Sequence, residues 1–145
     1  MAGPDENKGR LLRRRLLRNN RRMKFSREMP SAVTVRHVEE GLIRIGEETI
    51  TESVVLFRDT VHRGLVSGRV DELTADDLSD LIGKGPEIII MGAGWAPGLP
   101  PRDLVFALAR KGIGFEMMDT PAACRTFNIL IGEDRDVAAI LQLTG

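Results

Sequence analysis

The segment that begins at Thr120 concentrates side chains able to bind a ligand or to react. Thr120, Cys124 and Asn128 are four residues apart, so on a helix they form one polar ridge. The first-turn amides of such a helix attract an anion, and Arg125 can hold a carboxylate or phosphate through two hydrogen bonds. The spacing therefore favours a ligand or partner site that faces outward. A structural interpretation stays open beside it, in which Thr120 caps the helix, Asn128 and Arg125 satisfy backbone carbonyls, and Cys124 fills a small buried space.

The usual catalytic sets do not accompany this segment. A helix N-terminus and the neighbouring Arg125 favour a thiolate at Cys124, but no general base lies near it in the sequence. His37 and His62 lie on separate early elements, with no Cys or carboxylate at metal-ligand spacing. We therefore expect both histidines at the surface and assign no catalytic residue, no metal and no cofactor.

A second candidate feature is the pair Gly92 and Gly94, which follows an apolar strand as in dinucleotide-binding loops. The third glycine of that motif would fall at position 97, which is proline, and the next helix begins too late to receive a pyrophosphate. Asp119 does follow the next strand, where a ribose-binding acid belongs. The motif is half met, and the alternative is a tight turn where two backbones approach closely.

The elements that must position these residues alternate in the second half of the chain. An apolar run at 88–91 predicts a buried strand, helical spacing after Pro101 predicts a helix, and 113–118 predicts another strand. Thr120 and Pro121 then open a helix that runs to about Leu130. An earlier helix is predicted from Thr74, and residues 137–143 favour a final strand, with a helix as the alternative. This alternation indicates a parallel core with right-handed crossovers.

The first half of the ordered chain favours antiparallel strands. Apolar residues alternate at 33–38, recur at 42–45 and 54–57, and are expected again at 61–66, with glycines between the early runs. We predict an α/β fold, a three-layer single domain with a central mixed β-sheet, helices on one face and extra β-strands on the other. The domain is expected over residues 31–145, behind a basic disordered arm over residues 1–30.

The charge of the chain is divided between these two parts. Residues 1–30 hold ten Lys and Arg against three Asp and Glu, whereas the rest holds eleven against eighteen. Residues 10–27 could contact nucleic acid or an anionic surface, where their leucines are spaced for a short amphipathic helix, or could simply be solvated. The single Cys124 rules out an intramolecular disulfide and fits a reducing compartment. We expect a cytoplasmic protein, with a mitochondrial location as the alternative, no transmembrane segment and an unassigned oligomeric state.

Two stretches resemble a known family of small α/β domains, namely IIIMGAG at 88–94 and MDTPAACRTFNIL at 118–130. The family includes the mitochondrial assembly factor of the NADH dehydrogenase (complex I) alpha subcomplex, the adipogenesis-associated domain-containing protein of animals and uncharacterised prokaryotic proteins. The resemblance covers about residues 33–143 and leaves out the basic arm.

The resemblance implies a three-layer α/β fold around a mixed sheet, and no established enzymatic activity for most members. Because the animal relatives act through protein partners, it implies a non-enzymatic binding or assembly module with an unidentified protein partner. An anion or small-molecule pocket around Arg125 is the alternative, and nucleic-acid contact through the arm is another. The resemblance implies a pocket at the positions of the family's signature, namely Gly92, Gly94, Thr120, Ala123, Arg125, Thr126 and Asn128. The polar ridge adds Cys124 to this pocket.

Overall fold

The computed structural model describes residues 33–63 and 69–145. Within them eight strands and three α-helices follow one another, with a short 3-10 helix at Val70–Glu72. The predicted arm at 1–30 and the helix predicted within residues 10–27 lie outside the described residues. The strands are β1 (Val35–Glu39), β2 (Leu42–Ile45), β3 (Glu48–Ile50), β4 (Val54–Phe57), β5 (Thr60–Arg63), β6 (Ile88–Ala93), β7 (Gly114–Met118) and β8 (Val137–Gln142). The helices are α1 (Ser79–Gly83), α2 (Arg102–Arg110) and α3 (Thr120–Gly132).

Two sheets form from these strands. The smaller sheet has the order β1-β2-β3 and is antiparallel throughout. Its strands β1 and β2 confirm two of the predicted antiparallel strands, whereas β3 was not predicted. The larger sheet has the order β5-β4-β8-β6-β7. In it β8 pairs antiparallel with β4 and parallel with β6, so the predicted mixed sheet and the predicted final strand are both confirmed.

Strand alternation gives the large sheet two apolar faces. Val54, Leu56 and Leu141 point to one face, where α3 and the small sheet cover them, whereas Val55 and Ile140 point to the other, where α1 and α2 pack. The α/β class is confirmed, but the expectation of all helices on one face is wrong for α3, which shares its face with the extra strands.

Chain direction explains the placement of α3. From β6 the chain crosses through α2 to β7 at the edge of the sheet, and from β7 it returns through α3 to β8 on the far side of β6. Both connections join parallel strands, which cross over right-handed. Because the two crossovers run in opposite directions along the sheet, their helices must lie on opposite faces.

The helix predicted from Thr74 is shorter than expected. The backbone N–H of Thr74 donates to Asp77 Oδ2 at 2.9 Å, and the N–H of Asp77 donates back to Thr74 Oγ1 at 3.3 Å. This exchange closes a turn, and the α-helix begins only at Ser79, with Leu81 as its buried contact. Thr74 therefore closes a turn ahead of the helix and does not cap it.

Candidate functional site

The candidate site lies where α3 begins, beside the carboxyl end of β6. The cap of α3 is Asp119, whose Oδ1 accepts a hydrogen bond from the N–H of Ala122 at 2.8 Å, and Pro121 occupies the first turn. The prediction that Thr120 caps this helix is wrong. The carboxylate of Asp119 already satisfies a first-turn amide, at the position where an anion was expected.

Thr120 is fully buried and joins three chain segments. Its N–H donates to the carbonyl of Gly94 at 2.8 Å, and its Oγ1 accepts from the N–H of Gly94 at 2.9 Å. The same hydroxyl donates to the carbonyl of Gln142 at 2.6 Å. One side chain thus links the end of β6, the start of α3 and the end of β8.

Gln142 continues this network on the opposite side of β8. Its Oε1 accepts from the N–H of Val70 at 2.9 Å, and its Nε2 donates to the carbonyl of Thr144 at 2.6 Å. The N–H of half-buried Trp95 donates to the carbonyl of Gly145 at 2.7 Å. The loop after β6 and the segment after β8 are therefore held together by hydrogen bonds within the chain.

The two glycines allow this close approach. A Cβ on Gly92 would lie 3.0 Å from Ala123 Cβ and 3.1 Å from Thr120 Cα, so the first turn of α3 rests directly on β6. Gly94 has a φ of +81°, and a Cβ there would lie 2.7 Å from the carbonyl oxygen of Thr144. The geometry matches the alternative raised from the sequence, a tight turn between close backbones.

Cys124 is buried one turn further along α3, in the core between α3 and the two sheets. Burial raises the pKa of its thiol to about 12, and the charge of Arg125 opposes this only in part. The thiolate expected from the helix start and from Arg125 is therefore not favoured. At neutral pH the thiol is protonated and packs as a small apolar group.

Asn128 ties α3 to the small sheet. Its Oδ1 accepts from the N–H of Val35 at 2.9 Å, and its Nδ2 donates to the carbonyl of Val35 at 2.9 Å. The β1–β2 register shifts between Val35 and His37, so the amide binds the backbone beside an irregularity of the ladder. Asn128 therefore acts as a strand-like partner to β1.

Arg125 and Thr126 are the more accessible members of the predicted set. Arg125 is exposed, and its side chain makes no hydrogen bond or ion pair with any residue that the structure describes. Thr126 is half-buried, and its hydroxyl lies 3.5 Å from Met118 Sδ. Arg125 is thus the predicted site residue whose polar group points to solvent.

The structure brings Gly92, Gly94 and Thr120 into contact, and it directs Cys124 and Asn128 into the packing of α3 against the sheets. The expected outward ridge is therefore wrong for Thr120, Cys124 and Asn128, whose polar groups lie within the fold. His37 is exposed and pairs with Glu39 at 2.8 Å. Across residues 33–63 and 69–145, no group of three or more His, Cys, Asp and Glu could hold a metal ion.

Sequence reasoning missed Gln142 as a member of this network. It lies in the final strand beside apolar neighbours and is 5% exposed. A polar residue inside a predicted buried strand is the signal that could have revealed it, because a buried amide requires hydrogen-bond partners.

Among the residues that the structure describes, three large apolar side chains are exposed at the surface. Leu99, in the loop before α2, is 87% exposed, Ile129 on α3 is 61% exposed and Phe106 on α2 is 53% exposed. Ile129 follows Arg125 by one helical turn on the outward side of α3.

Comparisons with known proteins agree with this architecture. The model of a protein family of unknown function, DUF498/DUF598, matches residues 35–142. The chain belongs to this family. The family resemblance predicted from the two sequence stretches is thereby confirmed, and its matched range contains all the predicted site residues.

The curated proteins similar to this DUF498/DUF598 chain include the following two. The 13 kDa major membrane protein of Francisella tularensis is 31% identical over 72 residues, which cover 50% of this chain and 58% of that protein. The NADH dehydrogenase (ubiquinone) 1 alpha subcomplex assembly factor 3 of Xenopus tropicalis is 30% identical over 103 residues, covering 70% of this chain and 56% of that protein. The chain thus spans little more than half the length of these relatives.

A solved Mth938-like domain of Bordetella pertussis has the same fold. It superposes with a TM-score of 0.67 at 24% identity and covers 81% of this chain and 89% of that domain. Within the part of the DUF498/DUF598 chain that the structure describes, no helix has the length and apolar character needed to cross a bilayer.

Proposed function

We propose that this protein is a non-enzymatic binding module that takes part in assembling a protein complex. Similarity to a protein named as an assembly factor, over 70% of this chain, supports this role. The proposed partner is another protein.

The contrast between buried polar groups and exposed apolar groups carries the proposal. Thr120 and Asn128, predicted to meet a ligand, bond to backbone groups of the chain, and the buried thiol of Cys124 is protonated at neutral pH. Leu99 and Phe106 instead present large apolar side chains to solvent. We propose that these two side chains anchor the protein partner.

Affinity purification of the tagged full chain from its native cells tests this role. Wild type should recover a reproducible partner. The double variant Leu99→Ser, Phe106→Ser should recover about tenfold less of that partner, or still less. The variant Asp103→Ser, which changes an exposed polar residue of α2, serves as the control. Failure of wild type to recover a partner, or equal recovery by the double variant, would refute the proposal. Unchanged thermal midpoints show that the variants are folded.

An anion pocket around Arg125 is the second candidate, and the exposed guanidinium of that residue, unpaired among the described residues, favours it. Of the residues predicted to form this pocket, Thr120, Cys124 and Asn128 direct their polar groups into the fold. The proposed anion contact therefore rests on the guanidinium of Arg125, with Gly92, Gly94 and Thr126 as the other predicted members. Thermal shifts with inorganic phosphate and acetate test it. Stabilisation that Arg125→Ala removes and Arg44→Ala keeps would support the pocket, whereas no shift, or equal shifts in both variants, would end this idea.

Contact with nucleic acid or an anionic surface through residues 10–27 stays a prediction. Binding to a DNA duplex should weaken steeply with salt, because several phosphates would be neutralised. Equal affinity of the full chain and of a chain starting at residue 31 would contradict it.

We propose that the protein is cytoplasmic, with the mitochondrion as the alternative, on the support of its single buried, unpaired cysteine.

A further inference from the structure

Strand β7 forms one edge of the large sheet, and its backbone has a defined orientation. β7 pairs parallel with β6 on one side, and the N–H of Gly114 donates to the carbonyl of Glu87 at 2.9 Å. Backbone groups of a strand alternate in direction, so Gly114, Glu116 and Met118 direct their N–H and C=O groups to β6. Phe115 and Met117 must therefore direct theirs away from the sheet.

These outward groups are available for a further strand. Within the described ranges, no backbone hydrogen bond reaches the N–H or C=O of Phe115 or Met117 on that side. β7 has five residues and contains neither proline, lysine nor arginine. The opposite edge, β5, carries Arg63, which pairs with Glu48, and is a residue shorter. β7 thus has one charged side chain, Glu116, but no proline, lysine or arginine to block this edge.

A second copy of this chain is a poor occupant of the edge. An antiparallel pair of two β7 strands uses both outward residues of each strand only when Phe115 faces Met117 of the other copy. That register sets Glu116 directly against its own counterpart, and like charges directly opposite one another are destabilising. Shifted registers avoid the repulsion but pair only one outward residue of each strand.

The negative charge of Glu116 favours a partner strand that carries a basic side chain. Its side chain is exposed and makes no ion pair with the residues that the structure describes, and its partly buried neighbours Phe115 and Met117 project to the opposite face of the sheet. We propose that β7 binds an extended segment of another protein, which adds a strand to the sheet and sets Lys or Arg opposite Glu116. Main-chain hydrogen bonds would supply affinity, and the charge pair would select the register.

This inference rests on the proposed role as a protein-binding module and specifies its binding mode. The probes are two synthetic peptides, acetyl-VTVKVTV-amide and the same peptide with Glu in place of Lys. Amide hydrogen exchange of the full chain is measured with each peptide. The Lys peptide should slow exchange at Phe115 and Met117 and bind about fivefold tighter than the Glu peptide. Glu116→Lys should reverse that preference.

Two variants separate main-chain pairing from side-chain contact. Met117→Pro removes an outward N–H and should abolish protection, while leaving the bonds to β6 in place. Met117→Val keeps the N–H and should retain protection. No protection by either peptide, the same protection regardless of charge, or protection already present before peptide is added would overturn the proposal. A partner recovered equally by wild type and Met117→Pro would overturn the edge mode alone and leave the module role standing.

Discussion

The hydroxyl of Thr120 lies between two backbone groups and forms a hydrogen bond with each. It accepts from the N–H of Gly94 and donates to the carbonyl of Gln142, so it supplies a hydrogen-bond partner to a backbone group at the end of each of two strands. At the scale of a residue, this use explains why a threonine lies in a fully buried position at the start of α3. The same bonds withdraw it from contact with a ligand.

Replacement of Thr120 by Val keeps the shape and removes the hydroxyl. The N–H of Gly94 and the carbonyl of Gln142 would then be buried without this partner, and we expect a loss of about 2–4 kcal/mol in the free energy of unfolding. Urea unfolding followed by circular dichroism measures it. Thr120→Ser should keep most of the stability, and Thr126→Val should cost less than about 1 kcal/mol. A Thr120→Val variant as stable as wild type would contradict the role assigned to the hydroxyl.

The Cys124 thiol leads to a pH prediction. Its folded-state pKa of about 12 lies above its ordinary value of 9.0, so the folded chain holds this proton more tightly than the unfolded chain. The resulting stabilisation is complete below pH 9 and is lost as the pH rises toward 12. Wild type should therefore lose more stability between pH 8 and pH 10.5 than Cys124→Ala, as measured by urea midpoints. Equal losses in the two chains would show that the thiol does not titrate differently on folding.

At the scale of elements, α3 connects the layers on its face of the sheet. Ala123 rests on Gly92 of β6, Phe127 fills the core between the sheets, and Asn128 binds the backbone of β1. Small residues at the first contact bring the helix close to the strand, and the amide then holds the small sheet against it. The family's signature positions thus include several that build this junction.

The Gly92–Ala123 contact predicts that substitutions at these two positions have non-additive effects on stability. Gly92→Ala should destabilise the fold by about 1–3 kcal/mol, because the new methyl overpacks the helix against the strand. Ala123→Gly in the same chain should recover part of that loss, so that the double variant is more stable than the sum of the single effects predicts. The matched control is Gly114→Ala, whose Cβ would lie at an ordinary 3.4 Å from Ile88. Thermal unfolding of the four variants measures the coupling, and strictly additive losses would contradict the close contact.

At the scale of the molecule, β8 holds the domain together. It is the last strand in the chain but the central strand of the large sheet, and all six of its residues are buried. Its alternate side chains enter the apolar core on both faces of the sheet. The antiparallel first half and the parallel second half of the domain meet only through this strand in the described sheet.

A chain that ends after Asp136 should therefore lose cooperative thermal unfolding, because β4 and β6 would both lose their partner. A chain that ends after Leu143 keeps β8 whole and should still unfold in a single transition. Circular dichroism and calorimetry compare the two. Cooperative unfolding of the shorter chain would show that the two halves are stabilised independently of β8.

Much of this architecture could be predicted from local pattern. The apolar run at 88–91, the helical spacing after Pro101 and the start of α3 beside Pro121 all lie within one or two residues of the observed elements. Two of the failures come from long-range contact. The face chosen by α3 depends on the strand order, and the fate of Asn128 depends on Val35, which lies 93 residues away in sequence.

The sequence by itself therefore determined most of the strands and helices and which family the chain resembles, because apolar periodicity and glycine or proline act over a few residues. It did not predict the short strand β3 or the late start of α1. The tertiary structure alone decided which polar groups remain free. Thr120 and Asn128 bind backbone groups that a neighbouring strand brings to them, whereas Arg125 and the outer edge of β7 meet no such partner among the described residues. A side chain's type states what it can bind, but only the folded arrangement determines whether that capacity is already used.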